Sequence, residues 1–144
     1  MRVIDACVFL ETIEEKEPIC TTYLSKAGFD YRAYITIPLV GEIFLGASRI
    51  SDDLLREKVS HFIFELLEKK KIEIIAIQKD RDQFIQELLN FASIIPIDDL
   101  SHISNLLSAG FSEFVTIDQK IQNKKIKQVL SERYKLKIIH PKEI

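Results

Sequence analysis

The sequence predicts an α/β protein with a central parallel β-sheet and helices on both faces. Three observations carry this. Short strand-like runs alternate with longer helical stretches, the pattern of a parallel sheet joined by crossover helices. A composition of 47% hydrophobic and 29% charged residues in 144 is that of a globular chain, able to bury about two-thirds of its unfolded surface. Four glycines, four prolines and no repeat or low-complexity tract leave no linker, so residues 1–144 read as one domain.

The elements follow in order. "RVID" (2–5) is a first strand, and a helical stretch over 16–27 has Gly28 as its stop. "AYITIP" (33–38) is a second strand, leading into a short helix over 39–47. The most helical segment is 51–70, where Leu54, Leu55, Val59, Phe62, Leu66 and Leu67 recur at three- and four-residue spacings behind Ser51 as N-cap. "IEIIAI" (72–77) is strand-like, 80–92 helical, and "SIIPI" (93–97) extended. A helix opens at Asp98–Asp99 and ends at Gly110. "EFVTI" (113–117) is a strand, 119–132 a helix, and "LKIIH" (136–140) a last strand closed by Pro141.

Twenty basic and 22 acidic residues give a net charge of -2, so any basic surface for nucleic acid must be local. Cys7 and Cys20 form neither a disulfide framework nor a CxxC pair, which suits a reducing compartment. No apolar run reaches membrane-spanning length, and Asp5 and Glu11 interrupt any signal-peptide core. The expectation is a soluble, cytoplasmic protein.

Asp5 is a carboxylate inside the apolar run "RVIDACVFL", where an unpaired charge is costly to bury. Asp5 ends the first strand, Glu42 lies in the helix after the second, Asp99 opens a helix, and Asp118 follows "EFVTI". In parallel sheets function gathers beyond the carboxyl ends of the strands. Four carboxylates meeting there need a cation, and an all-oxygen set suits a hard ion, Mg²⁺ or Mn²⁺. Taken singly, Asp99 and Asp118 also suit helix N-caps and Asp5 a turn. Glu42 in an apolar helix has the weakest such excuse.

On these residues the chain resembles the PIN-domain nucleases, the family of the VapC-type toxins, nearly end to end. "RVIDACVFL" is similar to the family's opening strand, with its Asp, two small residues and an apolar helix. "ITIPLVGEIFLGA" resembles its second motif, with a Glu in the helix after a β-run. "DLSHISNLLSAGFSEFVTID" resembles the third and fourth together, running from Asp99 through His102 and Gly110 to Thr116 and Asp118. The match selects Asp99 over Asp98.

The resemblance implies a metal-dependent nuclease acting on RNA, with Asp5, Glu42, Asp99 and Asp118 as catalytic, metal-binding carboxylates. Thr116 would orient a carboxylate or water from behind them. It also implies an antitoxin protein as partner and a homodimer. One or two divalent ions would activate and align water and neutralise charge on the phosphate. Family analogy gives products with 5′-phosphate and 3′-hydroxyl ends. The chain departs from the pattern at Cys7, where the family often has Asn, and at Ala6, which lacks the hydroxyl often seen there.

The segment "QKIQNKKIKQVLSERYKLK" carries seven lysines and arginines against one acid and starts beside Asp118. Lys120 and Lys124, nearest that acid, are the candidate RNA contacts, with His102 as a third. A solvated amphipathic helix is the plainer reading of the lysines, as ring packing is of His102. Two other functions compete: a PIN-fold RNA- or partner-binding module with weak catalysis, and an RNA-processing nuclease that is not a toxin. A receiver-like signalling domain is disfavoured, because "IDACVF" offers one acid where that fold wants two.

Overall fold

A computed structural model describes residues 1–14, 16–76 and 81–143. Its sheet has five parallel strands in the order β3-β2-β1-β4-β5. They are β1 (Arg2–Ile4), β2 (Ala33–Thr36), β3 (Ile72–Ile75), β4 (Glu113–Val115) and β5 (Lys137–Ile139). Val3 of β1 pairs with Tyr34 on one side and Phe114 on the other. A central strand is covered on both faces, and Val3 and Ile4 are accordingly wholly buried. This arrangement is the predicted α/β architecture.

The helices are α1 (Ala6–Ile13), α2 (Pro18–Ser25), α3 (Ile37–Ser48), α4 (Asp53–Glu68), α5 (Arg81–Leu88), α6 (Ile97–Ser108) and α7 (Lys124–Tyr134). Helices α1 to α4 pack on one another, α5 on α6, and α7 on β5. Buried Phe9, Tyr23, Leu39, Ile43 and Val59 meet β1 and β2 in one continuous core with Ile103, Phe114 and Leu130.

Several boundaries differ from expectation for local reasons. The stretch expected as one helix over 16–27 narrows to α2, because Pro18 presets the first helical position. Asp52, rather than Ser51, caps α4: its Oδ1 accepts from the Leu54 and Leu55 amides at 2.9 and 3.3 Å. "SIIPI" is a turn segment, not a strand, and α6 already begins at Ile97 after Pro96. Asp98 and Asp99 therefore sit inside the first turn, where they complement the helix dipole without capping it. Residues 119–122 form turns, so α7 starts only at Lys124, with Asn123 as N-cap. The strand end expected at Ile77 and the helix start at Asp80 lie outside the described residues.

Gly110 ends α6 as expected, with φ +84°. The Gly110 and Phe111 amides donate to the Leu107 and Leu106 carbonyls, both at 3.0 Å, closing a Schellman turn that feeds the chain into β4.

Candidate active site

The strand order reverses around β1, whose neighbours β2 and β4 lead in opposite directions, and a crevice belongs at the carboxyl end of such a point. Asp5 leaves β1 there and caps α1, its Oδ1 accepting from the Ala6 amide at 2.8 Å. Its other oxygen, Oδ2, accepts the Thr116 hydroxyl at 2.7 Å and the Cys7 thiol at 3.5 Å. Burial pushes the Asp5 carboxyl above its ordinary range, although Thr116, His102 and Cys7 pull it back.

Thr116 follows β4 directly and is fully buried. While donating to Asp5 it accepts from the Asp118 amide at 3.1 Å, so one hydroxyl ties two candidate acids together. Asp118 in turn accepts from the Lys120 amide at 2.9 Å, an Asx-type turn. Gln122 Nε2 donates to the Thr116 carbonyl at 2.7 Å and braces this end of β4.

Thr36 caps α3, its hydroxyl accepting from the Leu39 amide at 3.3 Å. Leu39, Ile43 and Ala47 face the core at four-residue intervals. Glu42 falls beside that stripe, its side chain 38% exposed, and its Oε1 lies 2.5 Å from His102 Nε2. His102 comes from α6, one turn beyond Asp99, with its side chain only 7% exposed. Burial opposes charge on the ring, but Glu42, with help from Asp5 and Asp99, more than offsets it and raises its pKa.

Asp98 is exposed and Asp99 half-buried. Burial first, then the charges of Asp118, Asp5 and Glu42, push the Asp99 carboxyl up to about 7, with His102 pulling the other way. The four expected carboxylates thus share one electrostatic neighbourhood at the carboxyl ends of β1, β2 and β4. Lys120 and Lys124 are exposed, the first on the turn after Asp118 and the second opening α7.

Compared by sequence, the chain matches no family model and no curated protein. Compared by structure, it is similar to VapBC2 from Rickettsia felis, solved bound to a DNA fragment from its promoter. That match has a TM-score of 0.71 at 15% identity, covering 96% of this chain and 97% of the other. FitAcB from Neisseria gonorrhoeae matches at 0.68 and 13% identity over 100% of both chains. A toxin–antitoxin complex from Klebsiella pneumoniae matches at 0.64 and 12% identity, again over 100% of both. The chain has a PIN-like, VapC-type fold.

Within that PIN-like fold, the donor chemistry of the site fits a hard divalent ion, since all four candidate groups are carboxylates. Among the described residues, no three Asp, Glu, His or Cys side chains converge closely enough to hold a metal as they stand. His102 engages one oxygen of Glu42 and the Lys120 amide one oxygen of Asp118, so each carboxylate keeps its second oxygen for an ion.

Sequence reading missed the roles of Cys7 and Gln122, and it named His102 without its partner. The Cys7 thiol touches both Asp5 and Thr116 at 3.5 Å, although its place two residues after the first Asp was the only signal. Burial and the Asp5 charge push its pKa well up and keep it a neutral donor. Gln122 carried no signal. His102 did, because a residue three after Asp99 on a helix shares its face, but its partner Glu42 is 60 residues away.

Proposed function

We propose that the chain is a Mg²⁺- or Mn²⁺-dependent endoribonuclease, the toxin of a VapBC-type toxin–antitoxin pair. The observation that supports this is the electrostatic coupling of Asp99 to Asp5, Glu42 and Asp118 on a PIN-like fold. Burial first, and then the charges of Asp118, Asp5 and Glu42, push Asp99 up to about 7, and a cation would relieve the like-charge part of that cost. Asp5, Glu42, Asp99 and Asp118 would hold the ion, which supplies an activated water and charge neutralisation at the phosphate.

The chain's own residues have separate tasks. Thr116 and Cys7 fix Oδ2 of Asp5. Asp99 releases its proton when it takes part in binding a cation. Lys120 and Lys124 meet the RNA backbone as exposed point charges, and His102 lies under Glu42. The structural neighbours include a toxin–antitoxin complex, which supports an antitoxin protein as partner. Exposed Phe44 and Leu45 on α3 supply apolar surface suited to a homodimer. No helix among the described residues is long and apolar enough to cross a membrane, in keeping with action in the cytoplasm.

A second reading, an RNA- or partner-binding module with weak catalysis, draws on Glu42 and Asp118 being engaged elsewhere in this arrangement. One assay separates the two: cleavage of a mixed single-stranded and structured RNA pool with Mg²⁺ or Mn²⁺, with EDTA, and with Asp5→Asn. Cleavage abolished by EDTA and by the substitution supports the nuclease. Binding without cleavage supports the module, and cleavage surviving both treatments sinks the metal mechanism.

A further inference from the structure

The contact between His102 and Glu42 joins two helices, α6 and α3, at the wall of the crevice. Its two ends differ sharply: the imidazole is 7% exposed and packed within α6, whereas the Glu42 side chain is 38% exposed. A half-exposed Glu on its own samples many rotamers and loses that freedom when it takes a ligand. Here Oε1 is pinned by a ring that cannot itself move far, at 2.5 Å. The bond engages one carboxylate oxygen.

Resting on the metal-nuclease reading, we propose that His102 is a positioning residue: its Nε2–H fixes Oε1 of Glu42 and leaves Oε2 for the divalent ion. Carboxylates that ligate metals are themselves held by hydrogen bonds, and loss of such a partner costs about 10–100-fold in metal affinity. His102 therefore acts on Glu42 and not on RNA. Buried beneath Glu42, the ring presents no free edge to a nucleobase.

The test is Mn²⁺ binding by calorimetry, without RNA, for wild type, His102→Leu, His102→Gln, Glu42→Gln, Asp5→Asn and the double variant Glu42→Gln/His102→Leu. Leucine keeps volume without a donor, and Gln returns an N–H near the position of Nε2. His102→Leu is expected to weaken Mn²⁺ binding about 10-fold or more, and His102→Gln to stay within about 3-fold of wild type. The double variant should bind no more weakly than Glu42→Gln alone, because both changes remove one coupled unit. If His102→Leu does not fold, His102→Asn replaces it, since the shorter amide does not reach Glu42.

Wild-type or tighter binding by His102→Leu, while Asp5→Asn and Glu42→Gln weaken it, overturns the proposal and leaves the metal site standing. Equal losses in His102→Leu and His102→Gln also overturn it, since the donor is then not what matters. If wild type takes up no Mn²⁺, or Asp5→Asn and Glu42→Gln bind as wild type does, the metal reading falls and this proposal with it.

Discussion

Thr116 donates its hydroxyl to Asp5 Oδ2 at 2.7 Å across 111 residues of chain and accepts from the Asp118 amide at 3.1 Å. The bond is buried, so its removal leaves a carboxylate oxygen and an amide short of partners. Thr116→Val, which keeps the shape, is expected to destabilise the protein by about 1–3 kcal/mol. Thr116→Ser should recover most of that loss. Urea unfolding of the three proteins measures it; equal midpoints for Val and wild type would show that the hydroxyl is not structurally engaged.

The pH dependence has a definite sign. An unfolded Asp releases its proton near pH 4, while Asp99 in the fold holds its own up to about 7, through burial and then Asp118 and Asp5. Between those values the folded chain binds more protons, so this stability is fully present below about pH 4 and lost as pH rises through about 7. His102, with its pKa also raised, works in the same direction: its contribution is lost as pH climbs past its folded value. Asp99→Asn should flatten the fall in Tm between pH 5 and 8. Added Mg²⁺ should raise the wild-type Tm more at pH 8 than at pH 6, because the ion competes with the Asp99 proton. A Mg²⁺ shift independent of pH would argue that Asp99 takes no part.

These shifts show why the acids were visible in the sequence and their surroundings were not. Asp5 and Glu42 stood out because each interrupts an apolar run, a contrast that one residue and its neighbours define. The parallel sheet was legible for the same reason, since "AYIT" and "EFV" are short apolar runs set between helical ones. Pairings across the fold left no such trace. Nothing near Thr116 announces Asp5, and nothing near Glu42 announces His102. Boundaries failed where a turn borrowed a side chain: Asp118 capping the Lys120 amide and Gln122 reaching the Thr116 carbonyl delay α7 to Lys124.

If Lys120 and Lys124 meet phosphates, their loss should weaken RNA binding with little regard to sequence. On single strands each lost contact should reduce the steepness of log K against log salt by about 0.7. Titrations of Lys120→Ala, Lys124→Ala and the double variant at several salt concentrations measure this. Both residues are exposed, so the Tm should stay near wild type. An unchanged salt slope would return the lysines to the role of a solvated surface.

The relative placement of Asp5 and Glu42 depends on how α1 crosses α3, and Gly46 marks the close approach. A Cβ at Gly46 would sit 2.7 Å from Leu10 Cδ1, so the Leu10 side chain must shift before any larger residue fits. In an open helix Gly→Ala gains about 1 kcal/mol; overpacking a well-filled contact costs about 1–3 kcal/mol. Gly46→Ala is therefore expected to show no net gain or a loss of up to about 2 kcal/mol. Leu10→Ala opens the space, and in that background Gly46→Ala should recover the helical gain, a coupling of about 1 kcal/mol or more. Urea unfolding of the four proteins in this cycle measures the coupling. Strict additivity would mean that α1 and α3 adjust freely, and that their crossing does not set the distance between the two acids.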